Sequence, residues 1–428
     1  NGKYLTDDDA IIDLYSTSGN VKTFKKLKYR LQNRLINTVF FIDVNKPNFN
    51  DSQRAYYICQ KSVAAIDILL GRGARKTAIE LAERTLRHVL KFEYTEMCIN
   101  LLKKLSRHYG IMEKNKRKFI EYSNLTQKYL EIFNAETVAE QLYTKLRFQS
   151  KYNSIVSDEI IGEAISSMDQ LKKYLGKVDS NRFLMMAYMV FVNRYKIIND
   201  YENVLKVCDK ALGEFKRKED KRPITVFMFS SLKIDGLIQL KRYKEAEVEI
   251  INALKLVPEG KISWLNTNEK YMRMCIHTKE YQKAFDIFTK ITSDYGFQPA
   301  YKDTIETWKV YEAYLNFFIQ NEKIIPNQNQ LETRKKFRIN KFLNEVPIYS
   351  KDKRGFNIPI LIIQVLFLLQ QKKHDGIIDK VEALNAYCYR HLKKDETFRS
   401  NCFIKMLLLL PKCNFHRVAV DRKSKVLV

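Results

Sequence analysis

The sequence predicts an all-α chain built as a solenoid of stacked helix pairs, and three observations carry that prediction. The first is self-similarity at a period near forty. Tyr201-Glu-Asn-Val204, Tyr243-Lys-Glu-Ala246 and Tyr281-Gln-Lys-Ala284 occupy equivalent places, and Ala211, Ala253 and Ile291 follow each block seven residues beyond its last member. The second is composition: 13 glycines and 8 prolines in 428 residues, with 45% apolar residues, fit folded helix throughout. The third is the lack of alternating apolar runs bounded by Asn-Gly or Asp-Gly turns, so no strand is expected.

The repeat spacing has a mechanical reason. Ala246 and Ala253 fall nearly on one stripe of a helix. Their methyl groups let the paired helix come close, and Ile250 fills the gap to the next pair. Tyr243 opens that helix with its ring closing the turn and its hydroxyl in water. Pro258 stops it, because proline cannot continue the hydrogen-bond ladder. This Tyr–Ala–Ala–Pro pattern resembles the second half of a tetratricopeptide repeat, best over 243–258 and less closely over 281–291 and 201–212. Where that family has a small residue in the first helix, this chain has Val192, Ile234 and Met272. The resemblance implies a right-handed α-α superhelix, of six to nine pairs if the period is extrapolated.

The remaining elements follow in order. Asp7–Ser16 reads as a short acidic helix with Thr6 as its N-cap. Val21–Phe41 reads as a longer amphipathic helix, with Phe24, Leu27, Leu31, Leu35 and Val39 on one face and Lys25, Lys26, Lys28, Arg30 and Arg34 covering the rest, the default for a solvated helix. Pro47 and its asparagine-rich surroundings form a loop before a helix to Leu70. Gly71 and Gly73 in GRGAR end that helix and allow a sharp turn, since the stretch lacks the ending of a phosphate loop. Ala74–Leu90 carries Ala78, Ala82 and Leu86 on one stripe. Pairs are expected from Tyr94–Tyr109 with Lys114–Ile132 and from Val138–Tyr152 with Asp158–Tyr174, then clearer repeats at 182–217, 223–257 and 262–293. From there on, each proline is expected at or between helix ends. After a helix over 300–320 the rhythm breaks. The chain is accordingly divided into a repeat region (1–320), a basic insertion (321–357) and a C-terminal helical cap (358–428) of three helices, 359–371, 375–392 and 396–410.

Composition also bounds the setting. The longest apolar run, Ile358–Leu369, is too short to span a bilayer, so no membrane partner is expected. The first residues lack a secretory pattern. Seven cysteines without a CxxC motif read as buried small apolar residues in a reducing cytoplasm. The chain lacks an initiating methionine and its ending looks unfinished, so a sensor or adaptor part of a larger multidomain protein is one expectation.

The formal net charge of +26 fits either a polyanion partner or a lysine-rich bias spread along the chain. Arg334, Lys335, Lys336, Arg338 and Lys341, with Phe337 interleaved, suit phosphate contact plus base stacking. The competing reading is an amphipathic helix that packs Leu331, Phe337, Phe342 and Leu343. Nucleic acid or the ribosome is thus an alternative partner. Cys388 with His391 and Cys413 with His416 form two CxxH pairs, a low-weight zinc alternative set against simple helix packing. No HExxH, P-loop, dinucleotide fingerprint or nucleophile motif is present, so neither enzyme activity nor a cofactor is expected.

The principal expectation is therefore a scaffold or adaptor that binds a peptide or protein. In tetratricopeptide repeats the first helix of each pair lines the groove. By that resemblance, the groove residues are Asn193, Asp235, Gln239, Glu269, Arg273 and His277. Lys196 is added as the polar residue next to Ile197. Such side chains clamp an extended or helical peptide through hydrogen bonds.

Overall fold

Helix is the dominant outcome wherever the chain is described. The computed structural model describes residues 6–15, 21–39, 41, 43–44, 49–152, 158–217, 223–294, 302–328, 330, 337–345, 357–391 and 398–425. Among them lie nineteen α-helices and no strand. These are α1 (Asp7–Tyr15), α2 (Val21–Val39), α3 (Asp51–Gly71), α4 (Arg75–Lys91), α5 (Thr95–Arg107), α6 (Lys116–Tyr152), α7 (Asp158–Lys172), α8 (Asn181–Ile197) and α9 (Tyr201–Arg217). They continue with α10 (Pro223–Gln239), α11 (Tyr243–Leu254), α12 (Ile262–His277), α13 (Tyr281–Asp294), α14 (Lys302–Gln320), α15 (Ile339–Glu345), α16 (Asn357–Gln370), α17 (His374–His391), α18 (Phe398–Lys412) and α19 (Arg417–Ser424).

Consecutive helices pack on one another, α3 on α4, α9 on α10, α10 on α11, α12 on α13 and α16 on α17. The chain forms two compact units, one of residues 1–145 and 166–190, the other of residues 146–165 and 191–428. This division falls inside α6, α7 and α8.

One turn recurs through both units. Gly73, Glu93, Asn199, Lys241, Lys279, Glu322 and Lys372 all have positive φ, and each stands just past a helix end. At each, the left-handed residue's N–H bonds the carbonyl three residues back, and the next N–H bonds the carbonyl five residues back: Lys241 to Ile238 and Arg242 to Leu237, or Lys279 to Ile276 and Glu280 to Cys275. The pair satisfies the last carbonyls of the outgoing helix and turns the chain sharply. Tyr201, Tyr243 and Tyr281 then open α9, α11 and α13.

The alanine stripe performs as its spacing predicted. Ala246, Ile250 and Ala253 are buried with Ile234, Leu237 and Met274, and Ala78 and Ala82 are buried with Leu101, Leu102 and Leu105. Val192, Ile234 and Met272 are buried as well. α9 and α10 approach closely at Gly236, where a Cβ would stand 3.0 Å from a methyl of Leu205.

Four details differ from the expectations. Residues 116–152 form one helix of 37 residues, because Phe133–Thr137 holds neither glycine nor proline to break it. His108–Met112 form a π-turn ahead of α6, with Gly110 so close to Phe119 that a Cβ would meet its ring at 2.8 Å. Pro411 lies inside α18, one residue before its end, where little ladder remains for it to interrupt. The last stretch forms a further helix, α19, after a turn at Asn414 and Phe415 that stacks the Phe415 ring on His374 at 4.2 Å.

Candidate functional site

The shared turn provides a register for comparing first helices. Counting back six residues from Asn199, Lys241, Lys279 and Glu322 gives Asn193, Asp235, Arg273 and Asn316. Counting back ten gives Met189, Ser231, Glu269 and Glu312. Three of the seven expected groove residues thus stand at one equivalent position.

The structure links several of them. An Arg273 guanidinium nitrogen lies 3.9 Å from Asp235 Oδ1, so equivalent positions on α12 and α10 face each other. Lys270 sits between them: its Nζ lies 3.0 Å from Asp235 Oδ1 and donates to the Ser231 carbonyl at 2.9 Å and to its Oγ at 2.7 Å. Burial pulls the Lys270 ammonium below the ordinary lysine value, against Asp235, which favours the charged form, while Arg273 and Lys196 add to the lowering. One helix further on, Tyr311 Oη donates to Glu269 Oε1 at 3.2 Å. Burial, first, and the Glu269 carboxylate push the Tyr311 hydroxyl upward. Polar contacts therefore run from α10 through α12 to α14.

Helix α8 carries unmet hydrogen-bonding capacity. Asn193 Nδ2 and, beside it, Arg194 Nε and Nη1 are buried without an acceptor among the described residues. The Arg194 guanidinium lies 5.8 Å from the centroid of its neighbour Tyr195. Gln239 and His277, two residues before their respective turns, are exposed at the ends of α10 and α12. Lys270 and Tyr311 did not emerge from the sequence. Their offsets are one residue away from those carried over from the family, and only the approach of neighbouring helices brings them into the row.

On the side of the second helices, different polar sets join neighbouring pairs. Glu247 of α11 accepts from Tyr271 Oη of α12 at 2.6 Å and pairs with Lys283 of α13, which lowers its carboxyl. Glu83 of α4 accepts from Tyr109 at 2.7 Å, from Lys118 at 3.1 Å and from Tyr122 at 3.1 Å. Recurrence of a carboxylate, a tyrosine and a lysine in both units marks these as fastenings between pairs.

The basic insertion and the CxxH pairs are described in part. Arg334, Lys335 and Lys336 lie outside the described residues. Phe337 is half-buried, its ring 5.7 Å from that of Phe342 and 5.9 Å from that of Phe367, so it contributes to a core. Arg338 and Lys341 are on the exposed side. The side chains of Cys388 and His391 lie outside the described residues, while Cys413 is buried and His416 is exposed at the start of α19. Among the described residues no group of three or more side chains is placed to hold a metal ion. Burial pushes the thiols of Cys98, Cys208 and Cys275 up to about 12, which makes them inert apolar filling.

Compared with protein-family models, curated proteins and solved structures, the chain has no match in any of the three. Among the described residues no helix is long and apolar enough to cross a membrane.

Proposed function

We propose that the chain is a non-enzymatic protein-interaction module, in which the first helices α8, α10, α12 and α14 take an extended or helical segment of a protein partner. The observation that supports this reading is the polar row Asp235–Lys270–Arg273 and Glu269–Tyr311 across α10, α12 and α14. Fixed side chains of both signs suit recognition of peptide carbonyls and charged side chains. A tetratricopeptide-like, right-handed superhelical arrangement is part of the same proposal, and the repeated turn and the Tyr–Ala blocks support it.

Cross-linking with mass spectrometry, using the whole chain in extracts of its native cells, tests the reading. Partner cross-links should concentrate on α8, α10, α12 and α14, and the Lys196→Glu, Arg273→Glu double variant should lower capture tenfold or more. Cross-links confined to other helices, or equal capture by the variant, remove the proposal. Affinity for single-stranded RNA or duplex DNA that falls steeply with added salt, with no protein partner at these helices, would put the charge of +26 to use on a polyanion instead.

A further inference from the structure

Helix α2 has an apolar face that the other described residues leave exposed. At 100° per residue, Val21, Phe24, Leu27, Leu31, Leu35 and Val39 fall within about a third of its circumference. In a soluble protein such a stripe ordinarily lies on the core. Here no residue of α2 is buried: Leu27 is 45% exposed, Leu31 and Leu35 are 55% exposed, and Val39 is 56% exposed. Among the described residues α2 is not packed along its length on any other helix. Phe41, just beyond it, is 84% exposed, and Ile12 and Leu14 of α1 are exposed too.

The other faces have one sign of charge. Lys22, Lys25, Lys26, Lys28, Arg30 and Arg34 make six cations, and residues 21–41 contain no acid. Lys28 falls inside the apolar stripe, between Leu35 and Val39 around the helix, and is held by Asp7 of α1 at 2.8 Å, which leaves five cations around the other faces. What covers this helix must accept aliphatic side chains on one face and cations on its flanks.

An anionic lipid surface meets both requirements. A helix with a continuous apolar stripe, a lysine- and arginine-rich remainder and low net hydrophobicity lies in the plane of a bilayer, with its apolar face sunk to the acyl boundary. Five of the six stripe residues are aliphatic and Phe24 is half-buried, so this face carries no run of rings for nucleic-acid bases to stack on; the exposed rings of Tyr29 and Phe41 lie off it. Pairing of two α2 helices would bring cations of one sign together along the seam, with no acid on α2 to answer them. We propose that α2 is an interfacial helix that docks this protein on a membrane bearing anionic lipid. The expectation of no membrane partner rested on crossing the bilayer, which this mode of binding does not require.

The test uses the whole chain with vesicles of phosphatidylcholine, alone or with roughly 30% phosphatidylserine, a strongly anionic composition. Partitioning should be at least tenfold stronger on the serine-containing vesicles. Leu27→Gln, Leu31→Gln and Leu35→Gln together keep both the charge and a good helix former, so they should remove binding at least tenfold while the melting curve stays unchanged. Lys22→Gln, Lys25→Gln and Lys26→Gln should each weaken partitioning about fivefold. Absence of binding to anionic vesicles at low salt would overturn the proposal. So would binding that survives the leucine changes, which would be mere attraction of a cationic chain to an anionic surface. Lipid-free self-association that those same changes abolish would overturn it in favour of a second copy, and tighter binding to single-stranded RNA that they abolish would overturn it in favour of nucleic acid.

Discussion

Lysine is an unusual occupant of a left-handed turn, yet Lys241, Lys279 and Lys372 all hold one. A side chain with a Cβ is strained there by about 1–2 kcal/mol. Glycine removes that strain but adds freedom to the unfolded chain, so Lys241→Gly should be neutral or stabilise by up to about 1 kcal/mol, whereas Lys241→Val should destabilise by about 1–2 kcal/mol. Guanidinium unfolding of the three proteins checks the order. Glu136 is the other informative residue: it is buried, accepts from Thr95 at 3.0 Å and from Ser180 at 2.6 Å, and leaves Oε2 without a partner. Burial raises its carboxyl above the ordinary value, with Glu93 adding to the rise, while Ser180, Thr95 and Arg182 oppose it. A raised folded value means that the folded protein holds this proton more tightly than the unfolded chain. Stability from this site therefore falls as pH climbs from the ordinary glutamate value through the raised one. Glu136→Gln should lack that slope, so its melting temperature should gain on the parent's between pH 4 and pH 7; parallel melting curves across that range would refute the assignment. Neither effect was legible in the sequence, because a left-handed lysine and an interior glutamate look like surface residues until the backbone is in place.

At the level of single elements, α11 was read almost completely in advance. Tyr243 opens the helix and Ala246 and Ala253 are fully buried as expected, although the helix ends at Leu254, four residues ahead of Pro258. Ala246→Leu should destabilise by about 1–3 kcal/mol through overpacking against Ile234 and Leu237, measured by denaturant unfolding. An unchanged midpoint would mean that the pair is loosely packed. α6 was misjudged for the opposite reason: apolar rhythm alone divided it, although no breaker stood between the halves. The α2 stripe was visible as a pattern, but whether a stripe is covered is a property of the neighbours. The polar row followed the same logic. Asp235, Glu269 and Arg273 came from offsets along each helix, whereas Lys270 and Tyr311 became evident only when α10, α12 and α14 lay side by side.

For the molecule as a whole, each unit has its own apolar interior, with Cys59 and Cys98 in the first and Cys208 and Cys275 in the second. These buried thiols should resist alkylation in native buffer. In denaturant, labelling of Cys59 should rise together with that of Cys98, and labelling of Cys208 with that of Cys275, as mapped by peptide mass spectrometry. Divergence within either pair would show that the unit is not one cooperative body. The sequence identified the helical class and the pairing, which are local properties. How helices gather into a unit depends on which distant helices meet, which spacing along one helix does not carry.

The recurring junction has a consequence for how the chain acquires its structure. Each is closed by bonds that reach back only three and five residues, so a hairpin of two helices can form before anything remote is in place. Closing such short loops is a fast event, and assembly can begin at any of several sites along the polypeptide and spread to its neighbours. A fault at one junction then delays its own hairpin while the others proceed.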